Sequence, residues 1–546
     1  LEKAHRFLVN GISIEADAHD ETMVAGHPVG YWHIGPNFFD HYALDHHGYL
    51  NVGYMVICLS NIAMLHFACR EQGWQAPDDL YWHARELWEL VKLLVFEDGR
   101  LLRIGGDTRQ RYCYCQDYLL PSLLWCADYL GDPHAAELEA GCVELIRTDQ
   151  AASDDGSFMS RRLDTMRRGN PYYYTRLESD KAVVLSMNAW WRHVLQVAPQ
   201  QPQVSFRKAA RGAWVEPEHG AVFVRSPRRM ASWSWRAAEP PQGLCLPPAS
   251  GHLAEWSANL GGLVRLLGES GKRHVIRHEQ WLFDGGFLTV GTMQDNTSAT
   301  IPEGWKCEGH APHHYAVAAL PDDRSMIVLE HCAVPVRTYL SEVKGLKLSV
   351  PNDIFNGGER LYYADDGEMR LRGDAEEGHI ELQSDWLSVA DTIGVAGIYG
   401  AEGFTICQAG RRRASGYGES LYYDEVCFPC RMGTWAVDPG AVVLDCGSVV
   451  LSGADREETR ALAAGGVGGL ECAPSSCRAV RVAGAEGETY VLVANFGHEP
   501  VAASVNLSLS FAAARDLVTG ERHELAAGVL EVELDAAGAM PARLEA

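Results

Sequence analysis

The sequence predicts a multidomain α + β protein: a helical N-terminal part, a large antiparallel β-sandwich and a small C-terminal β domain. Three observations predict it. Apolar residues recur at helical spacing up to about residue 200. After Phe206 the pattern changes to alternation or short apolar runs of strand length, separated by turn residues. From about Glu471 that character repeats in a smaller unit. The expected bounds are 1–203, 204–470 and 471–546.

In the first part, the segments 52–73, 79–96, 116–131, 133–145 and 179–195 each read as a helix. Gly73 is a stop signal, and Asp79 and Asp132 are candidate caps. The short connections suit an array of helical hairpins. In the second part, the segments 220–225, 230–236 and 315–319 read as strands, with turns at Asp284-Gly285-Gly286, Pro321-Asp322-Asp323 and Asn356-Gly357-Gly358. In the tail, strands are expected at 489–496, 505–509 and 530–534.

The chain has 546 residues, 47% hydrophobic and 22% charged, which excludes disorder, collagen and a small disulfide scaffold. Lys plus Arg is 47 against 72 Asp plus Glu, a net charge of −25. That balance argues against a nucleic-acid partner and against an anionic membrane. A polyanionic substrate would require the basic groups to be concentrated locally. No apolar run approaches the roughly 18 residues needed to span a bilayer. Fifteen Cys is an odd count, and many lie inside apolar runs, as Cys58, Cys69 and Cys126 do. Buried thiols in a reducing compartment fit better than a disulfide framework, so a cytoplasmic location is expected. The chain begins at Leu1 without a signal peptide, which reads as a truncated or processed form whose start could have carried an export signal.

Three clusters carry polar chemistry. The first, residues 35–51, holds Asn37, His41, Tyr42, His46, His47, Tyr49 and Asn51 just before a long apolar helix. Hydrogen-bond donors and a titratable base at a helix mouth suit a catalytic site; the alternative is a structured loop whose imidazoles bond to backbone. The second, Gly105-Gly106-Asp107-Thr108-Arg109-Gln110-Arg111-Tyr112-Cys113-Tyr114, sets a Tyr beside two Arg after a glycine turn. Guanidinium groups favour phenolate, so Tyr112 or Tyr114 becomes a usable base; the alternative is a packed ring at a helix entrance. In the third, Arg161, Arg162, Arg167 and Arg168 precede Tyr172, Tyr173, Tyr174 and Arg176. Rings stack on sugar faces and Arg forks bind carboxylates, whereas the alternative is a solvated loop.

The β half adds His252 and the group His310, His313 and His314. The latter are weak metal candidates, because no acidic partner lies at a firm ligand spacing. Cys427-Phe-Pro-Cys430 is a lone C-x-x-C, and a zinc site there would need the poorly spaced Cys472 and Cys477. No phosphate-binding loop, nucleophile elbow or dinucleotide fingerprint is present.

The order of helical half, antiparallel β half and small β tail resembles the polysaccharide lyases with an (α/α) toroid and β-sandwich domains, among them the heparinase II/III, oligoalginate lyase and chondroitin or hyaluronan lyase groups. That family has an Asn/His cluster at a helix start, a D-G…G…(R)-Y segment with the catalytic Tyr, and a further His from the β domain. Asp45-His46-His47-Gly48 matches the first loosely, Asp98-Gly99 through Gln110-Arg111-Tyr112 matches the second better, and His252 stands where the third is expected. An adjacent Asn-His pair is absent. Only about five helices are visible, so upstream toroid helices are expected to be missing or the toroid to be shortened and open.

The resemblance implies β-elimination at a uronic acid, leaving an unsaturated 4,5-uronosyl end. His46 or His47 with Asn37 or Asn51 would neutralise the carboxylate. Tyr112 would be the general acid and also a candidate base, with Tyr114 in reserve. His252 would be a second base or orient the sugar. Arg176 and Tyr174 would hold flanking sugars, and Arg109, Arg111, Tyr49 and His41 would also line the substrate. The scheme requires no cofactor and no metal, though a structural metal is compatible with it. The expected partner is an anionic polysaccharide or oligosaccharide, with no nucleic acid or membrane, and a homodimer is compatible. Two alternatives stand: a glycoside hydrolase on the toroid, for which Asp45, Asp107 and Asp117 lack an obvious acidic mate, and a non-catalytic carbohydrate-binding protein.

Overall fold

The computed structural model describes residues 1–106, 116–159, 162–254, 259–267, 269–270, 273–300, 306–414, 419–507 and 511–545. Helices occupy the first part and antiparallel strands the remainder, as the change of period predicts.

The central helix is Val52–Glu71. The Asn51 side chain accepts the Tyr54 N–H and caps its start, and Gly73, at φ +64°, follows its end. Val52, Met55, Val56, Leu59 and Phe67 are buried. Around it lie the helices Ala84–Leu93, Leu119–Trp125 and Pro171–Leu195, with Ala135–Ala151 beside Leu119–Trp125. By length and composition Val52–Glu71 is apolar enough to cross a membrane. The expectation that no apolar run reaches that length is therefore corrected. Here the helix is apolar because so much of its surface faces other elements.

Other bounds move for local reasons. Pro171–Leu195 starts well before Ser179, because Asn170 caps it through the Tyr173 N–H and Pro171 fits the first turn. Tyr172, Tyr173, Tyr174 and Arg176 are thus helical. Asp79 is no cap: its carboxylate lies 2.6 Å from His5 Nδ1, and the chain there divides into the 3-10 turn Asp78–Tyr81 and the helix Ala84–Leu93. Glu2–Val9 and Asp164–Gly169 are helices that the apolar pattern does not announce.

The strands Gly212–Glu216, Ala221–Arg225, Met230–Ser234 and Gln242–Leu246 form an antiparallel meander. A ten-stranded sheet contains His274–Phe283 and Gly286–Thr300, joined at the expected Asp284-Gly285 turn, and continues through Lys306–Ala319 and Ser325–Ala333. The tail is an eight-stranded sheet whose first strand, Val467–Ala473, begins ahead of Glu471. One core cluster contains Leu50, Val52 and Leu87 together with Trp233, Trp235 and Tyr315, so helices and sheets share an interior. A second joins Leu288 and Val290 to Val480 and Leu492, seating the tail on the ten-stranded sheet.

Candidate functional site

Just before the central helix, Asp45–His46 and Tyr49–Leu50 pair as a hairpin. His47 and Gly48 at its tip have φ of +64° and +81°, the geometry that two-residue hairpin turns favour. The Asp45 carboxylate accepts the Gly48 N–H at 3.2 Å. His47 is thereby exposed at the tip, while Tyr49 turns inward and is buried. The His46 ring lies 3.9 Å, centroid to centroid, from both His47 and Tyr54.

His47, Gly48 and Tyr49 form one wall of a cavity of about 860 Å³. The sheets supply the rest: residues 236–241, 261–266 and 273–275, with Asp295 and Lys347. Arg273 is fixed in this wall. Its guanidinium lies 3.2 Å from the Asp295 carboxylate and donates to the Tyr315 hydroxyl at 2.7 Å and to the Gly262 carbonyl at 3.0 Å. Behind it, His313 Nδ1 is 3.0 Å from Arg273 and 2.9 Å from the Tyr315 hydroxyl, and its Nε2 is 2.9 Å from Glu330. Burial, then the Arg273 charge, holds the His313 imidazole well below its usual range. Burial pushes Glu330 up to about 8. At neutral pH both are therefore uncharged, and they position Arg273 without cancelling it.

Arg265 is engaged by Glu342 at 3.0 Å. Arg236 and Lys347 have no carboxylate at ion-pair distance among the described residues, and both line the cavity. Both cations share the cavity with the acidic Glu239 and Asp295, in a chain of net charge −25. No sequence cluster contained Arg236, Arg273 or Lys347, because they are far apart in the chain.

Of the residues expected at a site, His47 and Tyr49 line the cavity and His46 packs beside them. Asn51 is spent as a buried helix cap and donates to the Tyr49 hydroxyl at 3.2 Å. Asn37 donates its amide to the Asn10 carbonyl, and the His41 carbonyl accepts the Trp214 Nε1–H at 3.1 Å; neither lines the cavity. His252 is also outside it. Burial, then Arg360 and Arg100, lowers its imidazole to about 4. Tyr112, Tyr114, Arg109 and Arg111 lie outside the described residues, as do Asp107 and Arg161.

The Arg/Tyr stretch is not a continuous basic surface. Arg162 is buried against Asp149 at 2.8 Å, and both Arg167 and Arg168 pair with Asp164. Arg176 lies 3.8 Å from Asp180, and the Tyr174 hydroxyl donates to Glu178 at 2.8 Å. Arg167, Arg168 and Arg176 meet their carboxylates at helical spacing, and Arg162 meets its own across the fold. Of the carboxylates weighed for hydrolysis, Asp117 is buried against Lys181 at 2.8 Å and Asp45 is held by His219.

The His group is corrected as a metal site. His313 and His314 are neighbours in the strand Lys306–Ala319, so their side chains leave opposite faces. His313 faces Arg273, whereas His314 Nδ1 meets the Thr292 hydroxyl at 2.9 Å. His310 shares the His314 face but not that of His313. The zinc grouping with Cys472 and Cys477 is corrected as well: both belong to the first two strands of the tail, outside the thiols that gather round Cys427 and Cys430.

No protein-family model matches the sequence, and no curated protein matches it. Among solved structures, a Paenibacillus xanthan lyase is 11% identical, with a TM-score of 0.44 over 93% of this chain and 52% of its own. A chondroitin AC lyase of Streptomyces coelicolor is 10% identical, with a TM-score of 0.37 over 93% of this chain and 71% of its own. An α-galactosidase of Geobacillus stearothermophilus is 8% identical, with a TM-score of 0.30 over 45% of this chain and 41% of its own. The chain thus spans about half the length of the xanthan lyase (52%).

Proposed function

We propose that this chain is a polysaccharide lyase that cleaves a uronic-acid-containing polysaccharide or oligosaccharide by β-elimination, leaving an unsaturated 4,5-uronosyl end. The observation that carries the reading is the pair Arg236 and Lys347, two cations without ion-pair partners among the described residues, on a cavity that also holds His47. The C5 proton of a uronate is weakly acidic because its loss puts charge on the C6 carboxylate. Arg236 and Lys347 neutralise that carboxylate, taking the part first expected of His46 or His47 with Asn37 or Asn51. His47, at the hairpin tip, removes the C5 proton. Tyr112 protonates the leaving O4, with Tyr114 as the reserve, and Arg109 and Arg111 lie beside them in sequence. Gly105, seven residues before Tyr112 in the chain, supports this role: its carbonyl accepts the N–H of Ala238, a cavity residue, at 2.8 Å. Protein donors supply the neutralising charge, so the scheme requires no metal.

The test is a panel of uronic-acid polysaccharides, with ultraviolet absorbance of the conjugated product and reducing ends followed together. The lyase gives both signals in step. Reducing ends without the chromophore would establish a hydrolase, and binding without either would establish a carbohydrate-binding protein.

A further inference from the structure

Away from that cavity, three thiols converge. Cys407 lies in the strand Thr405–Gln408, Cys427 ends Tyr423–Cys427, and Cys430 begins Cys430–Val437. In the antiparallel ladder Thr405 stands opposite Cys427, and Cys407 opposite Glu425. A period of two therefore puts Cys407 and Cys427 on one face. The Phe428-Pro429 turn then returns the chain with Cys430 beside them. The three Sγ atoms lie within 4.8 Å of one another, and Cys407 and Cys430 are 3.8 Å apart. A disulfide would need about 2.05 Å. A tetrahedron with metal–sulfur bonds of about 2.3 Å has edges of about 3.8 Å.

We infer that Cys407, Cys427 and Cys430 bind one zinc ion through three thiolates. The cluster is closed on one side, where Cys427 is fully buried, and open on the other, where Cys407 lines a cavity of about 740 Å³. The fourth position faces that cavity. His379 is opposite Cys407 in the next ladder and lines the same cavity, but its ring nitrogens lie outside the group of three, which leaves the fourth position to water. Zinc with three thiolates carries one net negative charge; Lys344 lines the same cavity, its ammonium shared between Glu342 and Glu425. Binding exchanges three thiol protons for the metal.

The position of the cluster suggests its use. Tyr423–Cys427 belongs to one four-stranded sheet, and Cys430–Val437 to the three-stranded sheet that ends in Leu263–Leu266, a wall of the anion cavity. The ion would pin the corner between these sheets.

The experiment uses the full chain, reduced and prepared without chelator, with zinc measured by elemental mass spectrometry. One zinc per chain is expected, replaced by cobalt(II) with thiolate charge-transfer bands. Cys407→Ser and Cys430→Ser should lose the zinc, while Cys58→Ser keeps it. Should either serine variant fail to fold, chelation of the unaltered protein decides: its melting temperature should fall and recover on adding zinc alone. Zinc well below one per chain after incubation with zinc, a melting temperature indifferent to chelator, or a disulfide among the three in a non-reduced peptide map would each overturn the site.

Discussion

Asp45 and His219, 174 positions apart, meet at 2.9 Å, the carboxylate on the imidazole Nε2. Asp45 is in the hairpin that carries His47, and His219 lies in the turn between the first two strands of the meander. The other ring nitrogen of His219 is 2.7 Å from Glu216. The His219 ring between two carboxylates thus ties the hairpin to the sheet whose continuation carries Arg236, and so fixes the two walls of the cavity.

This clamp should have a pH signature. Burial alone would lower the His219 pKa, but its hydrogen bonds to Glu216 and Asp45 outweigh that and leave it raised. A raised His contributes its stability below the unfolded value, about 6.5, and loses it as pH rises through the folded value. Glu216 is lowered, against its burial, by the His219 contacts, so its contribution is lost as pH falls through its folded value. Melting temperature should therefore decline as pH rises above neutrality. In His219→Gln that decline should flatten. An identical pH profile in the variant would show that the clamp does not titrate in this range.

Arg236→Ala and Lys347→Ala should each raise KM for an anionic oligosaccharide about tenfold, since a hydrogen bond to a charged group is worth roughly 1.5–3 kcal/mol. The effect should be larger at low salt. Melting temperature should hardly change, because neither side chain has an ion-pair partner to lose among the described residues. Arg176→Ala should change KM little, as Asp180 already engages that guanidinium. A larger effect from Arg176 than from Arg236 would move the substrate groove to the helix Pro171–Leu195.

Two glycines should separate packing from backbone strain. A Cβ on Gly105 would lie 1.8 Å from the Leu50 carbonyl oxygen, so Gly105→Ala must shift the hairpin or its own segment. A cost of about 1–3 kcal/mol is expected, with loss of activity. Gly48→Ala meets nothing within 4 Å but sits at φ +81°, so about 1 kcal/mol is expected from strain alone. Urea denaturation of both variants checks the order.

The parts legible in the sequence were local. The helix Val52–Glu71 announces itself by an apolar run closed at Gly73, and Asp284-Gly285 by turn chemistry between strand patterns. His47 and Tyr49 were legible because the hairpin gathers its polar rings within a few residues. Arg236, Arg273 and Lys347 were not, because only the long-range closure of the sheets brings them to one cavity. The carboxylates that meet Arg162, Arg167, Arg168 and Arg176, which are Asp149, Asp164 and Asp180, were not legible as partners in the third cluster. Cys407, a single apolar-looking residue in a short strand, gave no sign that it would join Cys427 and Cys430.

Tyr112→Phe should leave a folded protein with kcat for elimination lowered by a factor of at least ~10², because only the transferable proton is removed. Activity retained in Tyr112→Phe but lost in Tyr114→Phe would move the role by two residues. Retention in both would remove tyrosine from the chemistry.

The central claim is tested most directly by the mass of the product made in heavy-oxygen water. β-Elimination breaks the C4–O4 bond without adding water. The account therefore predicts a new non-reducing end that is one water lighter than a hydrolysis product and carries no heavy oxygen from bond cleavage. A new non-reducing-end fragment of full hydrolytic mass, with the solvent oxygen from cleavage in the new reducing end of the other fragment, would contradict it.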